Sequence, residues 1–492
     1  MIAISTNRTE YRNDIAEEIR LFLGLSEIVL LEEIDAASAE LTFDLQLVQH
    51  GLHYTAFARA NDLEQTEEFD LSETATALEK KKLEKRSLKL ACYHLLKRMY
   101  PDIATPWGSL TGIRPTKLFR ELSQEGGEQS ARDQFIGLFD VSEEKTDLAA
   151  RICAVQEPFI RSVQPNQIDL YVGIPFCKTK CLYCSFPSEV LGKQDRLTQY
   201  LEALNRDIAA GAALVHEKGL SVRSFYMGGG TPTVLSANQM DALLTFLREQ
   251  YGSFGLEATV EAGRPDTIDR EKLLVLKQHG IDRISINPQT MNDETLKRVG
   301  RSHTREDIVR VCDLAREIGF ASINMDLIAG LPGETIDDMQ RSCDAIAMLR
   351  PDNLTVHSLA IKRSSLLKKE LDEHALSTAE QAEHMTRVGA VCAEQMGMNP
   401  YYMYRQKYMS GNLENVGYAL PGKECVYNID MMEETASILS HGAGTMTKRV
   451  FCGQNRIERL PSPKDVPTYL NKLDKLIEDK SQFFALSLLK IN

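Results

Sequence analysis

Between residues 168 and 358 short strand-like runs alternate in series with helical stretches, and this alternation restricts the chain to few folds. The runs are IDLYVGI (168–174), SVRSFYM (221–227), LEATVEA (256–262), DRISINP (282–288), ASINMDLIA (321–329) and DNLTVHS (352–358). Helical segments at 194–217, 237–250, 269–279, 304–319 and 335–349 separate them. Parallel neighbours need crossover helices, and such crossovers are right-handed. Six βα units therefore predict an α/β domain with a parallel sheet. They are too few to close an eight-stranded barrel. The expectation is an open, partial (β/α)6 TIM-like barrel with its chemistry at the carboxyl ends of the strands.

Residues 1–160 read as a separate α+β domain. Leu41, Phe43, Leu45 and Leu47 alternate with polar residues, His50-Gly51 offers a turn, and a second strand ends near Arg59. Leu88, Cys92, Leu95, Leu96 and Met99 recur at helical spacing within 75–100, and Lys80, Lys81 and Lys82 read as a solvated face. Residues 161–370 hold the βα series. Residues 371–492 bring a helix near 378–397, a Gly/Asn-rich stretch at 410–430, a strand-like SILSHGAGTM and a terminal helix, the pattern expected of a cap over the barrel mouth.

Composition narrows the partners. Of 492 residues 43% are hydrophobic and 26% charged, which excludes disorder. A net charge of -13 argues against nucleic acid or an anionic membrane as general partners, though not against a local basic pocket. No run approaches the ~18 apolar residues of a span, and the amino terminus lacks a signal pattern, so a cytoplasmic location is expected. The ten cysteines are then expected to be reduced.

Three of them, Cys177, Cys181 and Cys184, lie at the end of the first strand in YVGIPFCKTKCLYCSF. Thiolates suit zinc or iron–sulfur clusters. A structural zinc site takes four ligands, and this loop supplies three, with Ser185 and Phe186 where a fourth would fall. Zinc with a distant fourth ligand, a purely electron-transferring cluster, and a four-iron cluster with one iron open to a small molecule all remain. Cys92, Cys153, Cys312, Cys343, Cys392, Cys425 and Cys452 are scattered and read as small core residues. Cys425, in Pro-Gly-Lys-Glu-Cys, is the one whose role in activity calls for a test.

The triplet after the first strand of a serial βα domain resembles the radical S-adenosylmethionine (SAM) superfamily. IPFC before it, MGGGTPT (227–233) and DLIAGLPG (326–333) resemble the oxygen-independent coproporphyrinogen III oxidase family. WGSLTGIRPTK (107–117), CLYCSF and VEAGRPDTID (260–269) extend the likeness over nearly the whole chain. The resemblance implies a [4Fe-4S] cluster on Cys177, Cys181 and Cys184, with SAM on the fourth iron as the source of a 5′-deoxyadenosyl radical. It implies SAM contacts at Tyr171, Gly229, Gly230, Thr231 and Glu261. Some family members bind two SAM molecules, and the matching second set is Gln289, Arg301 and Asp326. The implied substrate is a tetrapyrrole with four propionates, and Arg264, Lys362, Arg363, Arg405 and Lys407 are candidate cations for it. The implied reaction is oxidative decarboxylation of coproporphyrinogen III to protoporphyrinogen IX, with a flavodoxin or ferredoxin-type electron donor.

Two features depart from the family. The best-studied oxidase branch carries a further cysteine where this chain has Phe186. A sub-branch that binds or delivers haem without oxidase activity carries a His-Asn and Tyr-Trp motif, which is not visible in GNLENVGYALPGKECVYN.

Overall fold

The structure is a computed structural model that describes residues 1–485 apart from 25, 35–37, 113, 193, 363, 407–412 and 452–455. Arg363, Lys407 and Cys452 thus lie outside the described residues. Two compact units divide the chain, Met1–Ala150 and Arg151–Asn492.

The first unit is built on strands β1 (Ile2–Thr6), β2 (Ile28–Leu30), β3 (Leu41–His50), β4 (His53–Ala60) and β5 (Leu63–Asp70), in the order β2-β1-β3-β4-β5. Phe43, Leu45 and Leu47 point inward with Tyr54, Ala56 and Ala58 from β4. The helices Arg12–Leu23 and Ala77–Met99 cover that face with Ile15, Ile19, Leu88, Cys92, Leu95 and Leu96. Lys81 and Lys82 are exposed, as a solvated face requires, and Trp107 is wholly buried.

In the second unit β6 (Gln167–Ile174) leads to a two-residue pair, β7 (Phe176–Cys177) and β8 (Glu189–Val190). Then follow β9 (Ser221–Gly229), β10 (Glu257–Gly263), β11 (Arg283–Ile286), β12 (Ser322–Ala329) and β13 (Asn353–Ser358). Residues beyond 371 add β14 (Asn399–Tyr404), β15 (Asn415–Ala419), β16 (Ser437–His441), β17 (Met446–Phe451) and β18 (Arg456–Pro461). All but β7 and β8 form one eleven-stranded sheet, ordered β14-β15-β13-β12-β11-β10-β9-β6-β16-β17-β18. The six expected strands are parallel neighbours in chain order, and β16 joins them parallel to β6. Antiparallel strands finish both edges, so the sheet is open.

Local signals explain the elements. Ser236, Thr304, Thr335 and Thr378 cap helix starts, each with a Gln or Asp three residues on that reaches back to the cap. The fourth βα strand ends at Ile286, earlier than its sequence run, because Pro288 has no N–H for the ladder. Gln289 then turns at φ +70° and bridges to β12.

Along these strands the side chains sort by parity. Val260, Ala262, Ile284, Ile286, Met325, Leu327, Leu354 and Val356 are buried apolar residues. The alternate set, which includes Thr259, Glu261, Ser285, Asn324, Asp326, Thr355 and His357, is polar and lines one cavity. A sheet face that turns polar side chains into one cavity is suited to hold a ligand.

One buried hub ties the carboxyl-terminal helices to the strand beside β6. Asp207, on helix Gln194–Glu217, accepts from Lys480 Nζ at 2.6 Å, Tyr469 Oη at 2.9 Å and the Gly442 N–H at 3.1 Å. His441 Nδ1 stands 3.1 Å from the same carboxylate. Burial pushes the Asp207 carboxyl up, but Lys480 and His441 override it and hold it below the usual range. Asp207→Asn leaves the Lys480 charge buried without its partner. Urea unfolding at neutral pH is expected to show a loss of about 3–5 kcal/mol, and a loss below ~1 kcal/mol would contradict the hub.

Candidate functional site

The cavity, of about 360 Å³, is lined by Cys177, Cys181, Cys184, Gly229, Gly230, Thr231, Glu261, Gln289, Arg301 and Asp326. All of the expected cluster and SAM positions therefore meet there except Tyr171. The Tyr171 ring instead packs against Tyr226 and Tyr427, with centroids 6.0 and 5.9 Å away, and does not form part of the cavity wall.

The cysteine loop is held by its backbone and one apolar anchor. The longer segment that carries it, from Phe176 to Val190, is closed at its ends by β7 pairing with β8. Leu182, between the second and third cysteines, packs with Val299, Ile328, Leu331, Leu359 and Leu367. Its N–H donates to the Val299 carbonyl at 3.0 Å, and its carbonyl accepts from the Leu367 N–H at 2.9 Å. The C-L-Y-C spacing thus presents thiols on either side of a buried leucine.

The glycine triplet has a role in seating this loop. A Cβ on Gly230 would lie 2.5 Å from the Phe176 carbonyl oxygen and 2.9 Å from that of Ile174. Without it, the Gly230 N–H donates to Ile174 and the Thr231 N–H to Phe176, both at 2.8 Å. Gly229, at φ +108°, takes a backbone conformation open mainly to glycine.

Each thiol faces a donor. The Thr231 hydroxyl points at Cys177 Sγ at 3.5 Å, and Arg264 Nη1 at Cys181 Sγ at 3.8 Å. The Phe186 N–H reaches Cys184, whose thiol burial nevertheless pushes up. Arg264 is only 3% exposed, and its fork is committed to Asp266 at 3.0 and 3.2 Å. It lines the cavity, as a cation for propionates would, and one of its terminal nitrogens also faces the cluster loop.

Deeper in, Tyr226 Oη donates to Glu261 Oε1 at 2.6 Å. Burial raises the Glu261 carboxyl to about 7, with Tyr226 and the Gly229 N–H offsetting part of the rise. Asp326 accepts from Asn324 Nδ2 at 2.8 Å and lies 3.6 Å from His357 Nε2. Arg301 donates to the Asn287 carbonyl at 2.7 Å and to Tyr183 Oη at 3.1 Å. Arg301 Nε, Asn287 Oδ1 and Gln289 Oε1 are buried without a protein partner, which leaves them for a polar ligand. Lys362 also lines the cavity, whereas Arg405 is buried away from its wall.

Cys425 lines the cavity too, yet its sulfur donates to Glu257 Oε1 at 3.1 Å, and burial with that carboxylate keeps it a thiol. Sequence reasoning missed Tyr226, Asn324, His357 and Tyr404. The parity of Glu261 and Asp326 along their strands is the signal that locates Asn324 and its neighbours.

Among the described residues no three His, Cys, Asp or Glu side chains converge on a single-ion position, and the three cysteines are free thiols. Three thiols on one loop, each with a hydrogen-bond donor and without a fourth ligand, fit a cluster that keeps one iron open rather than a mononuclear zinc site. Anaerobically reconstituted protein is expected to be brown with about four irons per chain. Substituting any of Cys177, Cys181 or Cys184 with Ala should bleach it, and Cys153→Ala should not, as read by iron content and visible absorption.

Comparison with known proteins agrees with this geometry. Residues 171–346 match the Radical SAM superfamily. The chain is 38% identical over 397 residues to the oxygen-independent coproporphyrinogen-III oxidase-like protein HemZ of Bacillus subtilis (strain 168), covering 80% of this chain and 79% of that one. It is 32% identical over 235 residues to the heme chaperone HemW of the same organism, covering 47% and 61%. The solved structure of coproporphyrinogen III oxidase (HemN) from Escherichia coli, a radical SAM enzyme, aligns with a TM-score of 0.52 at 25% identity, covering 68% and 73%. A cluster-type loop, a glycine strand end beneath it and a match over four-fifths of one relative point the same way. The chain belongs to the oxygen-independent coproporphyrinogen III oxidase-like family of the radical SAM superfamily, whose cofactors are a [4Fe-4S] cluster and SAM.

Proposed function

We propose that the protein removes carbon dioxide oxidatively from propionate side chains of coproporphyrinogen III, leaving vinyl groups and giving protoporphyrinogen IX. The observation that carries this reading is the sharing of one cavity by the cysteine loop, the strand-end glycines and a polar wall that includes Arg301 and Lys362. Cysteines 177, 181 and 184 would hold the cluster, and Gly229, Gly230, Thr231 and Glu261 would hold SAM. Bound there, the two supply a carbon-centred radical able to take one hydrogen atom. Two of the four propionates react in turn: each loses that hydrogen atom from its β carbon, passes one electron to an external one-electron acceptor and releases carbon dioxide, and the double bond forms between the two remaining carbons.

The chain's own part is to position and to shield. Arg301, fixed by Tyr183 and the Asn287 carbonyl, offers its remaining Nε to an anion. Burial lowers the Lys362 ammonium below its ordinary value, so a carboxylate that pairs with it recovers the lost hydration. Tyr226, Tyr402 and Tyr404 wall the cavity with rings and limit the water that reaches a radical. Gln289, Arg301 and Asp326 fit a second SAM. Binding of a single SAM per chain at saturation would count against that second site.

Haem delivery is the other reading, favoured by the likeness to HemW. Anaerobic incubation with SAM, a flavodoxin or ferredoxin-type donor and coproporphyrinogen III separates the two. Vinyl products with carbon dioxide release support decarboxylation, whereas tight haem uptake without turnover overturns it.

Glu261 makes a pH prediction. Its carboxyl is neutral below about 7, where one oxygen carries a proton, whereas the ionised form accepts hydrogen bonds from ribose hydroxyls on both oxygens and more strongly. SAM binding to the reconstituted protein, followed by calorimetry, is expected to tighten roughly tenfold from pH 6 to 8. Glu261→Gln should flatten this slope.

A further inference from the structure

Arg264 and Thr231 make an unequal pair of donors to the cysteine loop. The Arg264 side chain is 4% exposed and its Nε and Nη2 grip the two oxygens of Asp266. The remaining terminal nitrogen, Nη1, donates to Thr179 Oγ1 at 2.7 Å and faces Cys181 Sγ at 3.8 Å. Asp266 is anchored in turn by Lys178 at 3.3 Å. Thr231 is 2% exposed, and its hydroxyl is the neutral donor to Cys177. A guanidinium keeps its charge at any working pH, and a charged donor in a water-poor site interacts more strongly than a neutral one. Reducing an iron–sulfur cluster adds negative charge, which hydrogen bonds to its sulfurs stabilise.

We propose that Arg264, with Thr231 as the weaker partner, sets the reduction potential of the cluster on Cys177, Cys181 and Cys184 by donating hydrogen bonds to its thiolates. Asp266 is the positioning residue that fixes the direction of the Arg264 fork. This inference rests on the reading of the loop as a cluster site. It assigns Arg264 to electron uptake, a role separate from substrate binding.

The test is a potentiometric titration of the full, anaerobically reconstituted chain in the absence of SAM, with the reduced cluster read by electron paramagnetic resonance. Arg264→Gln is expected to lower the ratio of reduced to oxidised cluster about tenfold at a fixed potential, equal to about 59 mV for one electron. Thr231→Val should shift it in the same direction by less, and Arg264→Lys should restore part of the Arg264→Gln loss. An unchanged midpoint in both Arg264→Gln and Thr231→Val, each with four irons, overturns the proposal. If Arg264→Gln takes up no iron, Thr231→Val decides alone, and an unshifted midpoint overturns it. Loss of iron from both variants also overturns it, since the two residues would then hold the loop rather than tune it. Wild-type protein that takes up no iron sinks the cluster reading itself, a different result from iron-loaded variants with unmoved potentials.

Discussion

The site depends on how closely two stretches of backbone approach each other. The end of β9 and the chain leading into the cysteine loop share two 2.8 Å hydrogen bonds, from Gly230 to Ile174 and from Thr231 to Phe176. Any side chain at Gly230 would put its first carbon 2.5 Å from the Phe176 oxygen, so the approach exists only with glycine there. From that contact the other constraints follow. Cys177 is set beside the Thr231 hydroxyl, the loop turns over Val299 and Gly300, and Leu182 is delivered to its apolar seat. Thr179 Oγ1 completes the hold by donating to the Gly300 carbonyl at 2.8 Å.

The strand face toward the cavity is polar where most sheet interiors are apolar, and burying polar groups is costly unless each finds a partner. Most of them do. Glu261 has Tyr226, Asp326 has Asn324, and Arg283 is held by Glu257, Asn353 and the Lys423 carbonyl. The exceptions, Arg301 Nε, Asn287 Oδ1 and Gln289 Oε1, are grouped on the segment that follows β11. Gln289 is also a non-glycine residue at positive φ, so strain and unmet hydrogen bonds coincide on the cavity wall.

Charge is distributed with the same logic. The chain as a whole carries a net charge of -13, yet five cations among the described residues, Lys180, Arg264, Arg283, Arg301 and Lys362, line the cavity. They do not serve one purpose. Arg264 turns toward the cysteine loop, and Arg301, also on the cavity wall, keeps its Nε without a protein partner. A polyanionic ligand would meet local charge rather than the total.

How much of this was legible beforehand depends on the range of the interactions. Strand runs, helix spans and capping residues rest on contacts between near neighbours in the chain, so the six βα strands could be read from their periodicity and spacing. The cysteine triplet was legible for the same reason, because its eight residues form one loop. Register and direction were not. That β16, more than 250 residues beyond β6, lies beside it in parallel is decided by packing across the folded sheet. The turn of Arg264 toward Cys181, the covering of Tyr171 by Tyr226 and Tyr427, and the protonated state of Cys425 were likewise settled only in three dimensions. Each depends on which distant group is brought within a few ångströms, and no local pattern in a single sequence encodes that.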